Sequence, residues 1–155
     1  VNMDCYETLI DRADQLGISV IEMDFKGRNG RIMNDTIFIR RDMLTVGKSC
    51  ATSEELGHHF TGAGDILNQN LPNNAKQEKR GKIWAYNDRV GLRGIIKAYC
   101  NGCRNLYEMA DTLDVTEDFL QDALDYFHSK FGQYTILDNY VIYFEPALAV
   151  FDLIA

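Results

Sequence analysis

Apolar side chains recur at Tyr6, Ile10, Ala13 and Leu16, at spacings of four, three and three, which puts them on one face of a helix over residues 3–16. Gly17 stops that helix. The pattern then shortens. Residues 18–25 read as a strand, Lys26 to Gly30 as a turn, and 31–34 and 36–40 as two further short strands around a tight turn at Asn34-Asp35. Together these predict a small antiparallel sheet. Helical spacing returns over 45–60, with Thr45 in the capping position and Thr52, Leu56 and Phe60 on one inward face. A loop follows over 61–74, rich in Gly, Pro and Asn. Asn73 or Asn74 can cap a helix over 75–89, in which the single tryptophan, Trp84, reads as core.

From residue 92 the periodicity predicts a second module. Short helices are expected over 92–99 and from an Asn105 cap to Leu113. Thr116 caps a longer helix to Phe131 that Gly132 ends, and a hairpin turns at Asp138-Asn139. Three helices followed by a hairpin is the order of a winged helix, and MADTLDVTEDFL is close to a helix-turn-helix pattern. The fold class is therefore α+β, with one unit over 1–91 and a winged-helix-like unit over 92–155, packed on the first.

Candidate chemistry concentrates in Glu54-Glu55-Leu56-Gly57-His58-His59. On a helix, residues i and i+4 share a face, so Glu54 pairs with His58 and Glu55 with His59. Either pair could hold a divalent cation or form a solvated Glu/His pair. Gly57 costs about 1 kcal/mol in a helix interior, a cost that a close backbone approach would offset. Glu78, 20 residues after His58, is either a carboxylate favoured by its helix N-terminus or a further ligand.

The segment EELGHHFTGAG, followed by KQEKRGKIWAY, resembles the ImmA/IrrE metallopeptidases of phages and mobile elements. The resemblance covers residues 15–90 and departs from the family at Glu54, where the first His of H-E-x-x-H usually stands. It implies a zincin-like unit in which a small antiparallel sheet lies beside the metal-site helices. An edge strand of that sheet would be available to pair with peptide backbone. It implies Glu54, His58 and Glu78 as metal ligands, and Glu55 as the base acting on a metal-bound water. His59 lies about 100° round the helix and, with Tyr86, is assigned a supporting place around the site. The expected cofactor is Zn²⁺. Glu54 in place of His removes one unit of positive charge from the centre and tilts preference towards Mn²⁺. The substrate implied is a protein, a repressor of a phage or mobile element.

Composition narrows the partners. A net charge of −7 disfavours nucleic acid. Residues 92–145 alone carry four basic side chains against nine acidic ones, which makes the last unit a structural or protein-docking module rather than a DNA reader. No apolar run reaches the ~18 residues of a membrane span, and no secretory signal is visible, so no membrane partner and a cytoplasmic location are expected. Cys100 and Cys103 form a C-x-x-C with no second pair, and read as small fillers near a helix end. Two readings compete with the metallo-endopeptidase. One is a non-catalytic relative that binds metal or a partner, and the other is a winged-helix transcription regulator.

Overall fold

The computed structural model describes residues 4–62 and 71–155, the side chains of 71–74 excepted. The chain divides into two compact units, Val1–Asp88 and Arg89–Ala155. The class is α+β: the described residues form six helices and two three-stranded sheets.

In the first unit, α1 (Cys5–Gln15) opens on a reciprocal cap. Asp4 accepts from the Glu7 N–H, and the Glu7 side chain accepts from the Asp4 N–H. Three strands follow, β1 (Ser19–Met23), β2 (Gly30–Met33) and β3 (Thr36–Arg40), with Asn34 at φ 53° in the tight turn between the last two. The order is β1-β3-β2, with β2 antiparallel and β1 parallel to β3. The sheet is thus mixed, not antiparallel as expected. The strand with two fully buried isoleucines, Ile37 and Ile39, takes the centre, and the chain crosses from β1 to the far edge before returning.

Helix α2 (Thr45–Phe60) packs on α1, β2 and β3 and is buried on most of its circumference. That is unusual for a helix with so many small polar residues. The hydroxyls of Ser49 and Thr52 donate to the carbonyls of Val46 and Lys48 in the same helix, so burying them leaves no lost hydrogen bond. Leu56 and Ala51 join Leu9, Ala13, Ile18, Ile32, Ile37 and Ile39 in one core. Thr45 is the first helical residue rather than its cap. Leu44 holds the cap position, with no side-chain bond. Phe60 is not core as expected: it is 44% exposed and stacks on Trp84, their ring centroids 5.0 Å apart. Helix α3 (Leu71–Arg89) begins four residues ahead of the expected Ala75, so Asn73 and Asn74 lie inside it and do not cap it. Their side chains, and residues 63–70 of the loop expected over 61–74, lie outside the described residues.

The second unit runs α4 (Gly91–Cys100), α5 (Leu106–Leu113), α6 (Glu117–Phe131), β4 (Tyr134–Leu137), β5 (Tyr140–Tyr143) and β6 (Ala149–Asp152). Asn105 and Thr116 cap α5 and α6 as the sequence indicates, and Gly132 closes α6 at φ 76°. The expected hairpin gains a third strand, making an antiparallel meander β4-β5-β6. Of the C-x-x-C pair, Cys103 is half-buried against Thr112, whereas Cys100 is exposed beside the Tyr140 hydroxyl rather than filling a gap.

Candidate functional site

Helices α2 and α3 meet where both lack a side chain. A Cβ placed on Gly57 would overlap the carbonyl oxygen of Gly81, and one on Gly81 would stand 2.5 Å from His58 Nδ1 and 2.6 Å from its Cε1. The His58 ring therefore lies flat against the α3 backbone. Glu78 precedes Gly81 by three residues, so it projects from the same face of α3, one turn back. Its Oε2 comes 3.3 Å from His58 Nε2. Two donors of one tetrahedral zinc, each at about 2.0–2.1 Å, are separated by about 3.3–3.4 Å, so the gap fits that geometry as well as it fits a long hydrogen bond.

Glu55, only 8% exposed, projects from α2 towards β2. The Arg40 N–H donates to the Asn29 carbonyl at 2.9 Å, which sets the alternation along β2. Arg31 and Met33 turn their backbone polar groups to β3, and Gly30 and Ile32 turn theirs to the free edge. From that edge Ile32 donates to the Glu55 carboxylate. Gly30 supplies the room, since a Cβ there would lie 3.2 Å from Glu55 Cγ. Neither Gly30 nor Ile32 carries a recognisable sequence signal for this task, and both were missed from sequence.

The electrostatics follow from burial and crowding. Desolvation pushes the Glu55 carboxyl up to about 7; Glu78 and Glu54 add to the rise, while His58 and the Ile32 N–H oppose it. Burial disfavours the His58 imidazolium, but the Glu78 hydrogen bond and the charges of Glu55 and Glu54 outweigh it and hold the ring above its usual value. The His58 contact keeps Glu78 below the ordinary carboxylate range against the effect of burial, helped by Lys82 and Arg28. Lys82 is legible in sequence as the i+4 partner of Glu78; Arg28 arrives only through the β1–β2 turn.

Of the remaining sequence candidates, Glu54 is half-buried, and its charge reaches both Glu55 and His58. Among the described residues, no three His, Cys, Asp or Glu side chains stand in a metal-holding group. His58 and Glu78 are brought together, then, without Glu54 completing a triad. His58 Nδ1 is buried with no hydrogen-bond partner among the described residues, whereas a ligating histidine ordinarily anchors its second nitrogen. His59 makes its ring contact with Phe60 at 5.3 Å. Tyr86 is buried on α3 two turns beyond Glu78, about 12 Å along the axis. No helix among the described residues is long and apolar enough to cross a membrane. Searches with the chain match no family model and no curated protein.

Proposed function

We propose that the chain is a metal-dependent endopeptidase acting on a regulatory protein, of the repressor type found in phages and mobile elements. The observation that carries this reading is Glu55, buried and bonded to the free edge of β2, beside the His58–Glu78 pair. Three carboxylates gather here around one imidazole, with Lys82 and Arg28 acting on Glu78 from outside. Burying the Glu55 carboxylate is costly unless a cation offsets its charge. His58 Nε2, Glu78 and, after a side-chain rotation, Glu54 would hold the ion, Zn²⁺ or Mn²⁺. When bound, it would polarise the scissile carbonyl and acidify a water. Glu55 would take a proton from a water at the ion and would return it to the leaving amine, the Ile32 N–H keeping the carboxylate aimed. The outward Gly30 backbone groups and the Ile32 carbonyl, the Ile32 N–H being taken by Glu55, offer an extended substrate part of a strand to pair with.

The test is metal analysis of the purified protein, with cleavage of an unstructured peptide library read by mass spectrometry. Metal-dependent cleavage that Glu55→Gln abolishes is the expected result. Cleavage that is indifferent to chelation and to Glu55→Gln would remove the reading. A second reading, a non-catalytic metal- or partner-binding protein, draws on the incomplete triad. It predicts ion or partner binding with no cleavage. For the second unit we propose a winged-helix-like module that docks protein rather than DNA. Exposed Glu117, Asp118, Asp122 and Asp125 line α6, and its one lysine, Lys130, lies over the rings of Tyr126 and Phe131.

A further inference from the structure

The second unit contains a cavity of about 550 Å³ that the site above does not use. Ile95, Met109, Leu124 and Phe144 give it an apolar floor, and Tyr99 and Phe151, 43% and 56% exposed, stand on its walls. The volume suits a few side chains rather than an entire helix. One wall is α6, which contributes Gln121, Leu124, Asp125 and His128 to the lining. At about 100° per residue, Glu117 and Asp125 share that face, and Asp118 and Asp122 follow on its solvent side. Against these four exposed carboxylates the lining offers one cation, Arg104.

We infer that this groove is a docking site for a basic amphipathic helix of a partner protein. Its apolar side chains would enter the cavity and its Lys or Arg side chains would lie along the carboxylates of α6. As the seat of a substrate the inference rests on the peptidase reading, because DNA-binding regulators carry basic stretches of this kind. As a binding site it does not depend on that reading, and binding is therefore measured on full-length Glu55→Gln protein without added metal, where cleavage plays no part.

The probe is a fluorescent 18-residue Leu/Lys helical peptide, compared with a scrambled peptide of the same composition and with a Leu/Glu counterpart. Cys103 lines the cavity, so in a Cys100→Ser background its alkylation reports occupancy, with Cys5 in the first unit as control. The Leu/Lys helix should bind best, shield Cys103 but not Cys5, and weaken as salt rises. The double reversal Asp122→Lys and Asp125→Lys should reduce affinity by about tenfold or more. Reversing Asp11 and Asp14 on α1, an equal change in net charge, should change it far less. Equal losses from the two reversals would overturn the proposal. So would unprotected Cys103, equal binding of the scrambled or Leu/Glu peptide, or no binding at all.

Discussion

Gly57 and Gly81 touch backbone to backbone, and the site hangs on that contact. A Cβ at Gly57 would occupy the space of the Gly81 carbonyl oxygen. With a side chain at either position the helices would stand further apart, and Glu78 would lose its reach to His58.

Helix propensity and packing therefore pull in opposite directions at Gly57. Propensity alone favours Gly57→Ala by about 1 kcal/mol. Overpacking typically costs about 1–3 kcal/mol, and the obstacle here is backbone that cannot rotate aside, so the upper end applies. Gly57→Ala should lower the thermal midpoint by several degrees. Gly47→Ala in the same helix, whose nearest neighbour is the Met43 Cβ at 3.8 Å, should leave it unchanged or raise it slightly. Calorimetry on both variants checks the pair, and a stabilised Gly57→Ala would refute the close contact.

Glu55→Gln should abolish cleavage while leaving metal content unchanged, because the base lies outside the ligand set. Gln keeps the shape of the side chain and its acceptor for the Ile32 N–H, so far-UV circular dichroism should match the parent. Lost metal or altered folding would shift Glu55 to a ligand or structural role.

Glu54→His should tighten Zn²⁺ relative to Mn²⁺, since it adds an imidazole and raises the charge of the site by one. Competition titrations with the two ions on metal-free protein measure this. Affinities indifferent to residue 54 would exclude it as a ligand and favour the non-catalytic reading.

Glu22 links α1, β1 and α2. Its carboxylate accepts from Lys48 Nζ and from the Tyr6 hydroxyl, and Lys48 is the first reason it titrates below its ordinary 4.5. A depressed acid contributes stability above its unfolded value and loses it as pH falls through the folded one. Lys48→Met should therefore lower the thermal midpoint at pH 7 by a few degrees at most, because Glu22 is partly exposed and screened. The difference from the parent should vanish well below pH 4.5. A midpoint difference that persists there would point to lost packing instead.

A gel shift of the intact chain on random duplex DNA at low salt should show no sequence-specific retention, given the carboxylates on α6. Retention of a particular sequence would restore the transcription-regulator reading.

Local chemistry made much of this legible before any coordinates. The span of α2, the caps Asn105 and Thr116, the turns at Asn34 and Asp138 and the stop at Gly132 each depend on residues within a few positions of one another. The i, i+4 spacing of Glu54 and His58 is local in the same way. The sequence also determined that Gly57 needed a non-local reason to sit in a helix. Only the tertiary structure identified that reason as Gly81. It alone set β3 at the centre of a mixed sheet, because alternation says which side chains face inward and nothing about which strand lies in the middle. It alone turned the polar edge of β2 towards Glu55, placed Arg28 near Glu78, and brought Glu78 to His58. Most of those relationships join residues far apart in the chain, Gly57 with Gly81, Ile32 with Glu55 and Arg28 with Glu78, and they are settled by how elements pack, which no periodicity records.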